Sequence, residues 1–245
     1  MSLVSYLRYE VLRTFRNRRF FIFSLGFPLI LYFFVAGPST GVKNLSGSGI
    51  SAPLYFMVGI AAFGAMTAML STGARIADER GRGWNRQLRL TPLKPSRYLS
   101  TKLAMGYLMA LVTLVLLFAS GAILGVSMPA TRWLRMLGLM LVGLLPFAGL
   151  GILLGHLLTA DSIGPVVGGG SALLAFLGGT WFPLGHSGFL YDIARALPSY
   201  WLVQASHIAV GGSAWGALGW GVVAGWSAVL TGLAARAYRR DTKRV

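Results

Sequence analysis

Only six carboxylic side chains occur in this 245-residue chain: Glu10, Asp78, Glu79, Asp161, Asp192 and Asp241. With three histidines (His156, His186 and His207) and no cysteine, the reactive inventory is short. General acid–base work wants a pair of titratable groups at one place. Asp78-Glu79 is the one adjacent acidic pair, and Arg75, Arg80 and Arg82 surround it. That setting reads as a salt-bridged helix start rather than a catalytic pair. His156 stands close to the end of an apolar run, where it reads as a polar residue near a helix end rather than a proton relay. His186, Asp192 and His207 match no compact ligand spacing. The missing thiol excludes disulfides, thiol catalysis and cysteine metal sites. Gly168-Gly169-Gly170-Ser171 resembles a phosphate loop only superficially: no lysine follows a glycine anywhere in the chain, and lysine is what reaches the phosphates. No catalytic residue, no cofactor-binding residue and no metal ligand is therefore assigned to this chain.

The elements around these residues are apolar. The chain is 55% hydrophobic and 11% charged, with mean hydropathy +0.67. Soluble domains carry about 25% charged residues, so the composition is that of an all-α integral membrane protein. Residues 1–19 place Leu3, Val4, Leu7, Val11 and Phe15 on one helical face and basic residues on the other, which predicts an amphipathic interfacial helix. The transmembrane region is expected over residues 20–235, with six spans: about 20–37, 54–72, 103–126, 133–158, 163–181 and 214–235. Pro28 and Pro146 lie inside two of them. The stretch 182–212 is broken by Pro183, Gly185, Gly188 and Pro198, too often for a span. It predicts a re-entrant pair of short helices. Residues 75–102 form a basic island between two apolar runs, with a short helix expected over about 78–90. Residues 236–245 form a basic tail.

Net charge is +16. The basic residues cluster beside apolar runs, so anionic lipid and the positive-inside rule explain them better than nucleic acid. Eighteen of the 22 lysines and arginines fall in the N-terminal segment, the 75–102 stretch and the tail. The remaining four, Lys43, Arg132, Arg135 and Arg195, fall on the other side of six spans. Both termini are thus expected in the cytoplasm. Small residues recur four apart at Gly121/Gly125, Gly151/Gly155, Gly164/Gly168, Gly212/Gly216 and Gly221/Gly225, a spacing that lets helices pack closely in lipid.

This order resembles the permease subunits of ATP-binding-cassette exporters of the second type, which include bacterial drug-export permeases. The likeness rests on the amphipathic N-terminal helix before six spans, on Glu79, Gly83, Leu88 and Thr91-Pro92 after the second span, and on two motifs near the end. Those are Gly178-Gly179-Thr180-Trp181-Phe182-Pro183 and Pro198-Ser199-Tyr200-Trp201. Where the family commonly follows the glycine with Thr-Leu-Glu, this chain has Trp84-Asn85-Arg86, a positive charge in place of an acid.

The resemblance implies a transport subunit rather than an enzyme, paired with a second permease chain, identical or related. A separate ATP-binding subunit would hold ATP and Mg. Glu79, Gly83, Arg86, Leu88, Arg89, Thr91 and Pro92 would touch that subunit. Trp181, Phe182, Pro183 and Pro198 would close the outer side. Phe27, Phe34, Met57, Met66 and Phe176 are candidates for lining the substrate path. The cargo would be a hydrophobic or amphipathic drug, antibiotic or lipid-like compound, moved out across a bacterial inner membrane. A lipid-modifying membrane enzyme, or an ATP-independent channel or carrier, are the alternatives.

Overall fold

The computed structural model describes residues 10–12, 16, 25–45, 49–83, 95–185 and 187–243. Every regular element among them is helical. α1 (Phe27–Ala36) is short and apolar, with Pro28 in its first turn. α2 (Ala52–Gly81) is the axis of the molecule. Ser51 is extended, Pro53 opens the helix, and Gly83 follows its end with φ 72°. Thirty residues make a rod about 45 Å long, more than the roughly 30 Å of a hydrocarbon core.

α3 (Pro95–Ile123), α4 (Ala130–Gly143), α5 (Leu145–Leu157), α6 (Ala160–Leu177) and α9 (Ala217–Lys243) complete the bundle, with α7 (Phe189–Ala196) and α8 (Pro198–Gln204) between the last two. α1, α3, α5 and α6 pack around α2, and α9 packs on α5. Five helices, counting 130–157 as one, are long and apolar enough to cross a membrane among the described residues, and α1 is a shorter apolar helix beside them. The chain is a multi-span helical membrane protein.

Several expected boundaries move. The fourth span is two helices, because Pro146 offers no N–H to the Val142 carbonyl and the helix breaks at Leu144. The 75–102 stretch is helical at both ends: α2 runs to Gly81 and α3 starts at Pro95. The first residues of the short helix expected over 78–90 are the end of α2, and 84–90 lie outside the described residues. The charges in these turns find partners, so the helices continue past their apolar runs. Residues 84–94 lie outside the described residues. The tail is helical to Lys243 as part of α9. The 182–212 stretch forms α7 and α8, as expected, plus a 3-10 turn over Ala205–Ile208.

Glycine sets a close helix contact. Gly73 of α2 lies against the Gly151 carbonyl of α5, and a Cβ added at Gly155 would stand 2.8 Å from the Gly73 carbonyl oxygen. Backbone meets backbone there, the use of small residues expected in lipid. Gly149, on another side of α5, fits against Leu230 and Thr231 of α9. The other spaced pairs differ. Gly121 packs on Met57 and Gly125 ends α3 with φ 89°, whereas Gly164, Gly168, Gly221 and Gly225 have no described atom within 4 Å of where a Cβ would stand.

Candidate functional site at the charged end of the bundle

Alternating chain direction brings the last turns of α2, α5 and α9 and the first turns of α3 and α6 to one end of the bundle. Two ionic clusters knit that end together.

The first is centred on Lys102, which is 1% exposed. Its Nζ lies 2.6 Å from Glu79 Oε1 on α2 and 2.9 Å from Glu10 Oε1 on the N-terminal segment. Tyr98, one turn earlier on α3, shares the face of Lys102 because residues four apart are neighbours on a helix. Its hydroxyl donates to Glu79 Oε2 at 2.6 Å, and the Lys102 ammonium stands 5.2 Å from its ring centre. Stripping such ions of water costs several kcal/mol each, so the burial is tolerable only with close partners on the ammonium.

The second cluster joins α2, α5 and α9. Arg80 Nε lies 2.6 Å from Asp241 Oδ2 and Arg80 Nη2 donates to Asp241 Oδ1 at 3.0 Å, a two-pronged pair. Arg80 Nη1 donates to the Gly155 carbonyl at 2.8 Å, satisfying one of the carbonyls left without a helical partner at the end of α5. His156 Nδ1 is 3.0 Å from Asp241 Oδ2, and its ring meets Tyr238 edge-on at 5.3 Å. Its Nε2 is buried with no hydrogen-bond partner among the described residues. Outside both clusters, Asp78 and Arg82 form an exposed pair at 3.0 Å. No reacting centre emerges from these contacts; what they do is tie helix ends to one another.

Of the residues expected to touch an ATP-binding subunit, Glu79 is buried in the Lys102 cluster, while Gly83 ends α2 in an open position. Arg86, Leu88, Arg89, Thr91 and Pro92 lie outside the described residues. At the opposite end, Trp181 packs on Phe63 of α2 with centroids 5.4 Å apart, and Phe182 meets Phe176 edge-on at 5.1 Å. Pro183 is half-buried, and Pro198 is buried at the start of α8. The Tyr55 hydroxyl donates to the Gly179 carbonyl, and Gly59 fits against Thr180, so α2 holds the turn after α6 directly. Indole N–H groups anchor the rest: Trp215 to the Trp201 carbonyl at 2.6 Å and Trp226 to the Ala196 carbonyl at 2.8 Å. Arg132, counted with the sparse charges of this end, donates to the Ala209 carbonyl at 2.8 Å.

The path candidates divide. Phe27, Phe34 and Phe176 are exposed, but Met57 and Met66 are completely buried, with Met57 packed on Gly121 of α3. The face of α2 left half-exposed carries Phe56, Phe63, Thr67, Ser71 and Asp78, spaced four or seven apart. It adjoins α1, since Gly64 packs on Pro28.

Sequence reasoning missed Lys102 as a centre, and missed the Arg80–Asp241–His156 contact altogether. Lys102 carried a signal: it begins an apolar run and follows Tyr98 by one turn. Asp241 carried none, because its partners are 85 and 161 residues away.

Residues 39–236 match the family described as ABC-2 family transporter protein. The chain is also 30% identical over 196 residues to a Bacillus subtilis (strain 168) protein described as "Putative transport permease YvfS", an alignment covering 78% of each chain.

Proposed function

The chain belongs to the ABC-2 family of transporter proteins, and on that premise we propose that it is the permease subunit of an ATP-driven exporter. A separate subunit binds ATP and Mg and docks on the charged end of the bundle. Two permease chains, identical or related, form the membrane part. The charged end faces the cytoplasm of a bacterium, with both termini, and the aromatic end faces outward from the inner membrane. The observation supporting this most is the asymmetry of the bundle. The partnered charges Lys102, Glu79, Arg80 and Asp241 gather where α2, α3, α5 and α9 meet, while the far end is held by indoles and backbone carbonyls. In the sequence, eighteen of the 22 basic residues fall in the N-terminal segment, the 75–102 stretch and the tail, the segments expected on the cytoplasmic side.

The cargo in this reading is hydrophobic or amphipathic. Its route follows the half-exposed face of α2 at Phe63, Thr67 and Ser71, with the exposed Phe34 of α1 and Phe176 of α6 as further candidates for its lining. An aromatic upper part with hydroxyls below suits a molecule with an apolar body and a polar group. Trp181 and Phe182 close it at the outer end.

The test is purification of the chain from its native membrane in mild detergent, with mass spectrometry of what accompanies it. A stoichiometric ATP-binding subunit, and ATP-dependent movement of a lipophilic dye in proteoliposomes of the complex, are expected. A chain that purifies alone and passes the dye without ATP would overturn the reading in favour of a passive carrier.

A further inference from the structure

Lys102 sits between two carboxylates that arrive from different parts of the chain. Glu79 alone neutralises it at 2.6 Å. The second acid, Glu10, is 92 residues away in sequence and is itself only 2% exposed. A lysine ammonium has three donors but one charge, and each additional buried carboxylate must be desolvated at a cost of several kcal/mol. Glu10 is thus not needed to balance Lys102. What it adds is a connection: the N-terminal segment is fastened to the point where α2 and α3 already meet. The fastening is short, dry and little screened by salt, unlike the exposed Asp78–Arg82 pair.

We propose that Lys102 is a positioning residue for transport, the hub of a buried acid–lysine–acid latch that makes the N-terminal segment move as one body with the ends of α2 and α3. The latch transmits displacement between that segment and the membrane helices. Coupling travels through elements held in discrete arrangements, and a contact of this kind biases which arrangement is occupied. The transport role rests on the exporter reading; the latch itself does not.

The decisive variant is Glu10→Gln. It takes the charge from the Glu10–Lys102 contact and leaves Lys102–Glu79 in place, so the bundle keeps its core. The chain has no native cysteine, so a nitroxide on Leu12→Cys, a position 52% exposed, reports that arm alone. In proteoliposomes the label is expected to be immobilised in the parent and mobile with Glu10→Gln, while Glu10→Asp restores immobilisation in large part. In the complex with its ATP-binding subunit, dye moved per ATP hydrolysed falls about tenfold with Glu10→Gln and recovers with Glu10→Asp. An unchanged label spectrum overturns the latch. A mobile label with normal dye moved per ATP overturns its role in transport. If no ATP-binding subunit exists, the exporter reading fails while the spectrum still decides whether the latch is real.

Discussion

Arg80 of α2 and Asp241 of α9 are 161 residues apart in sequence, yet two guanidinium nitrogens hold the carboxylate at 2.6 and 3.0 Å. The third reaches a carbonyl at the end of α5. One side chain therefore joins three helices. Asp241→Ala removes the charge-assisted bonds to Arg80 and His156 and leaves Arg80 with its carbonyl partners. The expected loss is about 2 kcal/mol, read as a lower midpoint of thermal aggregation in detergent. Asp78→Ala, which breaks only an exposed pair, is expected to cost less than about 0.5 kcal/mol.

Lys102→Met takes from Glu79 and Glu10 the buried ammonium they share. Breaking such a site from one side costs about 3–5 kcal/mol, so folded yield after membrane extraction should fall sharply. The neutral triple variant Glu10→Gln, Lys102→Met, Glu79→Gln should recover most of it. Size-exclusion profiles of the two variants check this; equal yields would contradict the ionic account.

The α2–α5 seam predicts a sharp contrast among glycines. Gly73→Ala or Gly151→Ala inserts a methyl group against backbone that has no side chain to yield, and should separate the helices and lower stability by about 1–3 kcal/mol or more. Gly168→Ala in α6 meets open space among the described residues, and should be neutral or stabilising by a few tenths of a kcal/mol. Thermal shifts of the purified variants separate the two classes.

Phe63 and Met57 lie on the same helix but on different faces. Met57→Ala opens a cavity beside α3 and should cost about 2–5 kcal/mol. Phe63→Ala should leave stability nearer the parent while changing which lipophilic dyes are moved in proteoliposomes. The reverse pattern would place the cargo route on the α3 side of α2.

The helical class and the spans were legible because lipid enforces them: long apolar runs have few other ways to satisfy their backbone. The short pair over 182–212 was legible from Pro183, Gly188 and Pro198. Helix ends were less so. Composition marks where apolar residues stop, but Glu79, Arg80 and Lys102 sit beyond that limit and remain helical because each has an ionic partner. The same partners explain why Glu79 was expected on a surface and is found inside. Its burial depends on Lys102, 23 positions away, a distance over which no local pattern speaks. Met57 and Met66 show the opposite limit. In a helix apolar on all sides, hydropathy cannot say which face meets a neighbour.

The break at Leu144 divides the fourth span into two pieces with separate allegiances. α5 is seated on α2 and α9 by Gly151, Gly155 and Gly149, and Arg80 holds its end. α4 answers instead to the other end, where Arg132 grips Ala209 and Gly143 lies under Leu202 and Trp215. One apolar crossing is thus fastened in two halves, one to the ionic end of the bundle and one to the aromatic end, with Leu144 between them.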